Sequence, residues 1–246
     1  MDGFDKTDDP RRRLLISGLA AGVFSSVLPE KSALADAIFG SQPSRLPPGQ
    51  SIYRLYGDVT VNGKPATMST PITANDTVRT GKSSEIVFVV GGNSMILRSE
   101  SHITLEGEKK EESSFLISAL RILSGKILSV SRNKGMAIRT PTATIGIRGT
   151  GLYVEADPEL TYFCTCYGTT DVVSNNDPSS KDTVVATHHD KPLYITANAA
   201  KSGNNVRPAG FINHTDQELM LIETLVGRTP PFVFPGNSYD APRRGY

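Results

Sequence analysis

Apolar and polar residues alternate over short distances along most of the chain, and from Ser51 onward the apolar stretches are separated by turn-forming residues. Residues 58–61 lead into Asn62-Gly63, a dipeptide that favours a hairpin because both positions tolerate positive φ. The apolar stretch at 85–90 ends at Gly91-Gly92. Alternation of this length, bounded by turn signals, is typical of strands. The pattern therefore predicts an all-β fold made of short strands.

Two segments inside this β pattern need a separate interpretation. The apolar residues at 115–130 fit both the helical and the strand period, and Gly125 within them favours two short strands over one helix. The charged run at 106–112 is interpreted as a solvated loop.

One helix is predicted near the end of the chain, at about residues 215–226. Thr215 and Glu218 have the spacing of a capping box, with Thr215 at the N-cap. Leucine, isoleucine and valine then recur at helical spacing, and Gly227 occupies the C′ position. His214 precedes the N-cap, where we expect it to pack on Leu219.

The first thirty-five residues have the order of a signal peptide. Three arginines, Arg11 to Arg13, precede an uncharged run at 14–28, and small residues at 32–35 provide a cleavage site after Ala35. The arginines followed by two leucines resemble a twin-arginine (Tat) signal. An ordinary secretory signal and a retained membrane anchor are the alternatives. The prediction is a periplasmic protein without a membrane span after cleavage.

Composition excludes several classes of protein. The 26 lysines and arginines against 25 aspartates and glutamates give a net charge of +1, which argues against nonspecific nucleic-acid binding. Two cysteines are too few for a disulfide-dense scaffold. No nucleophile elbow, phosphate-binding loop or zinc-protease helix occurs in the sequence, so we do not expect the protein to be an enzyme.

The predicted organisation is a signal peptide at 1–35, a linker at 36–50, a β domain at 51–173, a C-terminal extension at 174–228 and a Pro-rich tail at 229–246.

Residues from about 51 to 173 resemble a FecR domain, the extracytoplasmic module of FecR-type iron-uptake regulators. The resemblance rests on six short segments: Gly57-Asp58-Val59, residues 76–81, the strand at 85–90 with its Gly91-Gly92 turn, Ser124-Gly125-Lys126, residues 140–143 and residues 147–154. It implies an all-β unit of short strands, solenoid-like or sandwich-like. In the full regulators this unit receives a signal in the periplasm and passes it across the inner membrane. The anti-sigma segment and membrane-spanning helix of those regulators have no counterpart in this sequence, so the resemblance implies a module that contacts a ligand or a protein partner.

The segments most typical of the family have a structural interpretation. Thr140-Pro141 is expected to enter an edge strand, because proline cannot donate to a ladder. In Arg148-Gly149-Thr150 and at Gly151, the glycines are expected to permit a tight turn or a bulge. A binding role is the alternative for these residues.

The most chemically suggestive residues are Cys164 and Cys166. On a strand they point to the same face, where two thiolates can hold zinc or another thiophilic metal together with imidazoles. The candidate imidazoles are His188, His189 and His214; the first two are adjacent, so in an extended segment at most one would serve the site. A Cys-x-Cys disulfide and simple packing of two buried thiols are the alternatives.

Two functions follow from these observations. The first is a non-enzymatic extracytoplasmic module that binds a ligand or protein partner in envelope signalling. The second is a metal-binding or redox protein that uses the cysteine pair.

Overall fold

The computed structural model describes residues 43–111, 114–198 and 204–232. The predicted signal peptide, residues 36–42 of the predicted linker and residues 233–246 of the predicted Pro-rich tail lie outside these residues. Within the described ranges, no helix has the length and apolar character needed to cross a membrane.

The described chain forms thirteen strands and one helix near its C-terminal end, which confirms the predicted all-β class with a single short helix. The elements are β1 (Ile52–Tyr56), β2 (Val59–Val61), β3 (Lys64–Pro65), β4 (Thr77–Thr80), β5 (Glu85–Val90), β6 (Asn93–Leu97), β7 (His102–Glu111), β8 (Ser114–Arg139), β9 (Ala143–Ala156), β10 (Leu160–Ser174), β11 (Lys181–Ala186), β12 (Leu193–Thr196), β13 (Val206–Pro208) and α1 (Asp216–Leu225).

The strands are hydrogen-bonded into one antiparallel network. Its main path runs β13-β12-β10-β9-β8-β7-β4-β2-β3, while β11 pairs with β10 and a β1-β5-β6 branch joins β8. The three long strands β8, β9 and β10 are therefore the centre of the fold. β8 passes from β7 to β6 and β10 passes from β12 to β11, while β9 pairs with β8 and β10 along its length. These strands therefore connect parts of the sheet that short strands would leave separate.

The expectation of short strands throughout is wrong for the middle of the chain. The segment interpreted as two short strands is part of one 26-residue strand, β8. Gly125 does not end this strand; with φ of +100° it lies where β8 passes from its partner β7 to its partner β6. The charged run is also not a loop, because β7 extends to Glu111. Pairing with a neighbouring strand outweighs the local signals that suggested a break.

Local turn and cap signals are confirmed where they were strongest. Asn62 and Gly63 have φ of 52° and 77°, the left-handed values of a two-residue hairpin turn between β2 and β3. Thr215 is the N-cap of α1, and its hydroxyl and the Glu218 carboxylate form the reciprocal capping box. Gly227, with φ of 70°, follows the C-cap Val226.

Buried apolar side chains form two clusters. The larger one takes its residues from strands along most of the chain, from Ile52 of β1 to Val206 of β13. The second, which we call the helix-side cluster, combines the apolar residues of α1 with sheet residues on the face below it; its members are Val87, Ile96, Leu128, Val130, Tyr153, Tyr162, Cys164, Cys166, Tyr167, Leu219, Leu221, Ile222 and Leu225. The cysteine pair therefore faces the helix.

Gly125→Ala is expected to destabilise the protein. A Cβ at this position would lie 2.2 Å from Ser101 Oγ and 2.4 Å from Ser101 Cα, on a backbone conformation that L side chains rarely adopt. We expect a loss of at least about 2 kcal/mol in the free energy of unfolding, measured by urea denaturation. Gly146→Ala on β9 is the matched control, because a Cβ there has only Asp171 Cβ at 4.0 Å. Equal effects of the two substitutions would contradict the assignment of Gly125 as the point where β8 changes partner.

Candidate metal centre

The two cysteines lie in the middle of β10, on the face that the helix covers. Cys164 is opposite Tyr153 of β9, and the register of the β9–β10 ladder shifts between Thr165 and Tyr167. Both thiols are fully buried and both are free, with no disulfide between them. The prediction that the two side chains share one face is confirmed by their place in the helix-side cluster.

A tight turn after β11 brings His189 to the cysteines. The Asp190 carboxylate accepts hydrogen bonds from the Thr187 and His188 backbone amides at 2.6 and 3.2 Å, which closes the turn. His189 has φ of 55°, and its own amide donates to the Cys166 carbonyl at 2.9 Å. The backbone of β10 therefore holds this histidine in place.

The residue before the helix cap brings the second imidazole. The His214 ring stacks on Tyr153 with centroids 4.5 Å apart and packs against Phe211 at 4.4 Å. His214 Nδ1 donates to the Ile212 carbonyl at 2.7 Å. Tyr153, Tyr162 and Phe211 enclose this end of the cluster, and His214 itself is 2% exposed.

Four potential ligand atoms converge: Cys164 Sγ, Cys166 Sγ, His189 Nδ1 and His214 Nε2, all within 4.8 Å of one another. The two nitrogens are 3.1 Å apart, and the sulfur–nitrogen distances are 3.5 Å for Cys164–His189 and 3.4 Å for Cys166–His214. A tetrahedral zinc ion with ordinary bond lengths has nitrogen–nitrogen edges of about 3.3 Å and sulfur–nitrogen edges of about 3.5 Å. The measured distances are close to these edges.

The outer nitrogens of both imidazoles are already engaged as donors. His189 Nε2 donates to Asp216 Oδ1 at 3.0 Å, and His214 Nδ1 donates to the Ile212 carbonyl. Neither of these acceptors carries a proton of its own, so the outer nitrogens hold the protons, and the inner nitrogens, His189 Nδ1 and His214 Nε2, are the ones that can bind a metal once they carry no proton. A carboxylate or carbonyl behind the imidazole is the usual support of a histidine that binds a metal.

His188 was a candidate ligand of the cysteine site, but it lies outside that site and contacts Asp216 instead. Its Nε2 lies 2.9 and 3.0 Å from the two Asp216 carboxylate oxygens, and it does not join the cysteine set. The two histidines do not face opposite ways, because the segment is a turn and not an extended strand, and the turn directs both rings to Asp216. As expected, only one of the two, His189, lies with the cysteines. Sequence reasoning assigned Asp216 only to the helix start; its position two residues after His214 was the available signal for this second role.

Proton positions in the metal-free cluster follow from the environment of each group. The Cys166 thiol, followed by the two imidazoles, lowers the pKa of Cys164 well below its usual value against the opposing effect of burial. Burial lowers the pKa of His189, but the hydrogen bonds to Asp216 and Cys164 outweigh it and raise that pKa overall. Burial raises the pKa of Cys166 and lowers that of His214. These directions favour the thiolate form of Cys164 and the protonated form of His189, and they favour the neutral forms of Cys166 and His214.

The family model described as FecR protein matches residues 76–165. The chain contains a FecR domain. The resemblance that the sequence motifs indicated is thereby confirmed over residues 76–165 of the predicted β domain at 51–173, and a FecR domain supports a signalling or regulatory role.

Other comparisons add less. No curated protein matches the chain. Two crystal structures of a "putative anti-sigma factor" from Parabacteroides distasonis ATCC 8503 are similar at 14% sequence identity, with TM-scores of 0.41 and 0.42. The matched regions cover 54% of this chain and 58% of those structures, so the chain spans less than two thirds of their length.

The residues most typical of the FecR domain occupy a turn and a bulge. Thr140 and Pro141 do not enter an edge strand; they connect β8 to β9, and the Thr140 amide donates to the Ala143 carbonyl at 2.9 Å. This correction follows from the length of β8 and β9, which places the segment at the end of a long interior hairpin. The Thr140 hydroxyl also accepts a buried hydrogen bond from Thr161 at 2.8 Å.

Arg148, Gly149 and Thr150 lie where the β8–β9 register is interrupted. Gly149 has φ of 69°, Arg148 pairs with Asp171 at the surface, and Thr150 is fully buried. Gly151 adopts no positive φ, but a Cβ there would lie 2.4 Å from the Tyr167 ring. The residues most typical of the FecR domain therefore do not include any of the four potential metal ligands. Of those four ligands, only Cys164 lies within residues 76–165, the range that the family model matches.

Asp216→Asn is expected to destabilise the metal-free, reduced protein at neutral pH. Burial raises the pKa of Asp216, but the hydrogen bonds from His189 and His188 outweigh it and lower that pKa. A carboxyl with a lowered folded pKa contributes stability above its unfolded pKa, and this stability is lost as the pH falls through the folded pKa. We expect a loss of about 1.5–3 kcal/mol at pH 7 that shrinks below about pH 4, measured by urea unfolding.

The control for this substitution is Asp182→Asn, which removes a more exposed ion pair with Lys191. It is expected to change the free energy of unfolding by less than about 1 kcal/mol. A loss at Asp216 that stays constant down to pH 3 would show that the carboxylate charge is not the cause.

Proposed function

We propose that this protein is an exported, non-enzymatic FecR-type regulatory module of the periplasm, and that its ligand is a thiophilic divalent metal ion, zinc by preference. The ligand atoms are Cys164 Sγ, Cys166 Sγ, His189 Nδ1 and His214 Nε2. The observation that carries the proposal is the convergence of two inner imidazole nitrogens and two thiol sulfurs at tetrahedral spacing, with both outer nitrogens already donating.

The donor set supports zinc over other divalent ions. Two thiolates with two imidazoles in a tetrahedral arrangement suit zinc, whereas magnesium and calcium prefer oxygen ligands in larger shells. All four ligands come from the protein and are at most 5% exposed. A closed shell of this kind is typical of a structural or sensing site, because catalytic zinc keeps one position open for water or substrate. This supports a binding role rather than catalysis.

The redox form of the cysteines is part of the same proposal. An oxidising compartment favours disulfides, but two residues of extended backbone place the Cα atoms of a Cys-x-Cys pair near the limit for a disulfide. Metal binding engages both thiolates and thereby competes with their oxidation. A regulatory module whose ligand is zinc needs the reduced pair.

Mature protein purified from the periplasm is expected to contain one zinc ion per chain, measured by elemental analysis. Thiol titration should find no reactive thiol in the native protein and two after unfolding with a chelator, because the ion holds both sulfurs. Cys164→Ser/Cys166→Ser should lose the zinc. His102→Ala is the matched control, since His102 lies on β7 outside the cluster and its loss should leave zinc at one per chain.

Two results would contradict the proposal. Zinc-free protein without any free thiol would show a disulfide, and the module would then bind some other ligand or partner. Zinc-free protein with two free thiols that takes up no added zinc would leave the cysteines as packing residues.

A further inference from the structure

We propose that the metal acts as a clasp between the FecR sheet and the start of α1, so that metal occupancy controls how firmly the segment at 211–220 is docked. This inference rests on the proposed metal site and adds a regulatory consequence to it. The segment covers part of the sheet face that forms the helix-side cluster.

The four ligands come from three separate places in the chain. Cys164 and Cys166 are on β10, His189 is in the turn after β11, and His214 stands immediately before the N-cap of α1. Cys166 and His214 are separated by 48 positions in the sequence. An ion bound to all four atoms therefore cross-links the sheet, the turn and the helix start, and constrains the chain between them.

His189 connects the metal position to α1, because the two nitrogens of its ring face different partners. Its Nδ1 faces the cysteines, while its Nε2 donates to Asp216, the first residue of α1. His214 is bound to the same helix through the adjacent N-cap Thr215. The start of α1 is thus connected to the metal position both directly through His214 and indirectly through His189 and Asp216.

The other end of α1 has contacts that do not use the metal ligands. The fully buried Glu223 carboxylate accepts hydrogen bonds from Arg132 at 3.1 Å and Arg228 at 2.5 Å, and from the Tyr167 hydroxyl. The Leu225 carbonyl accepts from the Leu46 amide at 2.9 Å. These contacts remain when the ion is removed, so the end of the helix keeps its place on the sheet.

The start of α1 also has contacts that do not use the metal ligands. Arg98 pairs with Glu218 at 2.7 Å and donates to the Asn213 carbonyl. The Asn213 side-chain amide donates to Glu155 of β9 at 2.7 Å, and His188 lies 2.9 Å from the Asp216 carboxylate. Removal of the ion therefore loosens this end rather than releasing it. What is lost is four coordination bonds, replaced by thiol–imidazole hydrogen bonds, which are weak because sulfur is a poor donor and acceptor.

Hydrogen exchange followed by mass spectrometry on the full mature chain tests the clasp directly. Zinc-loaded protein is compared with reduced, chelator-treated protein, and zinc content is measured on both samples. Two sets of amides report on the clasp: the His189 amide, bonded to the Cys166 carbonyl, and the Glu218 and Leu219 amides, bonded to Thr215. We expect these amides to exchange at least about tenfold faster without zinc, because their opening is limited by local stability.

The amides at the other end of the helix provide the internal control. Those of Val226, Gly227 and Arg228, bonded to carbonyls of Glu223 and Thr224, should change by less than about threefold. His214→Ala should remove the zinc response at the helix start, whereas Glu223→Gln should speed exchange at residues 226–228 and keep the zinc response at 218–219.

The outcomes separate the two proposals. If zinc binds at one per chain but exchange at 218–219 is unchanged, or slows equally at both ends of α1, the clasp is wrong and the metal site stands. If no zinc binds to the wild-type chain, both proposals are wrong.

Discussion

Two hydrogen bonds on the outer sides of the imidazoles determine what the buried cluster can do. Asp216 accepts from His189 and the Ile212 carbonyl accepts from His214, so the nitrogen that each ring turns inward is the one that can bind a metal once it carries no proton. If either ring faced an outer donor instead, its inner nitrogen would carry a proton and the cluster would be a pair of packed thiols beside two histidines. The direction of these two bonds is therefore the condition on which a metal site depends.

The fold satisfies this condition with ordinary local structure. Alternation on β10 directs both cysteines to one face. The turn closed by Asp190 places His189 beyond the end of β11. The capping box of α1 fixes the positions of His214 and Asp216. None of these three structural features is specific to metal binding by itself. Their combination is specific to metal binding, because each chain segment contributes what the others lack: thiols, a left-handed turn and a carboxylate at a helix start.

The sequence predicted those parts whose cause is local. The helix and its cap follow from the Thr215–Glu218 spacing, and the common face of the cysteines follows from strand alternation. The long strands were missed because a glycine such as Gly125 usually marks a break between two strands. Its actual role depends on the strands that lie beside it. His189 and Asp216 were assigned incompletely for the same reason: the left-handed backbone of one and the imidazole partners of the other are set by chain segments distant in sequence.

The charge of the cluster explains why a divalent ion suits it better than ions of other charge. Two thiolates and two neutral imidazoles around a charge of +2 have a net charge of zero, so a divalent ion leaves no uncompensated charge among these four buried side chains. Binding releases protons, because thiolates and neutral imidazoles are the forms that bind a metal. A monovalent ion would leave one buried negative charge and a trivalent ion one buried positive charge, each without a partner in the helix-side cluster.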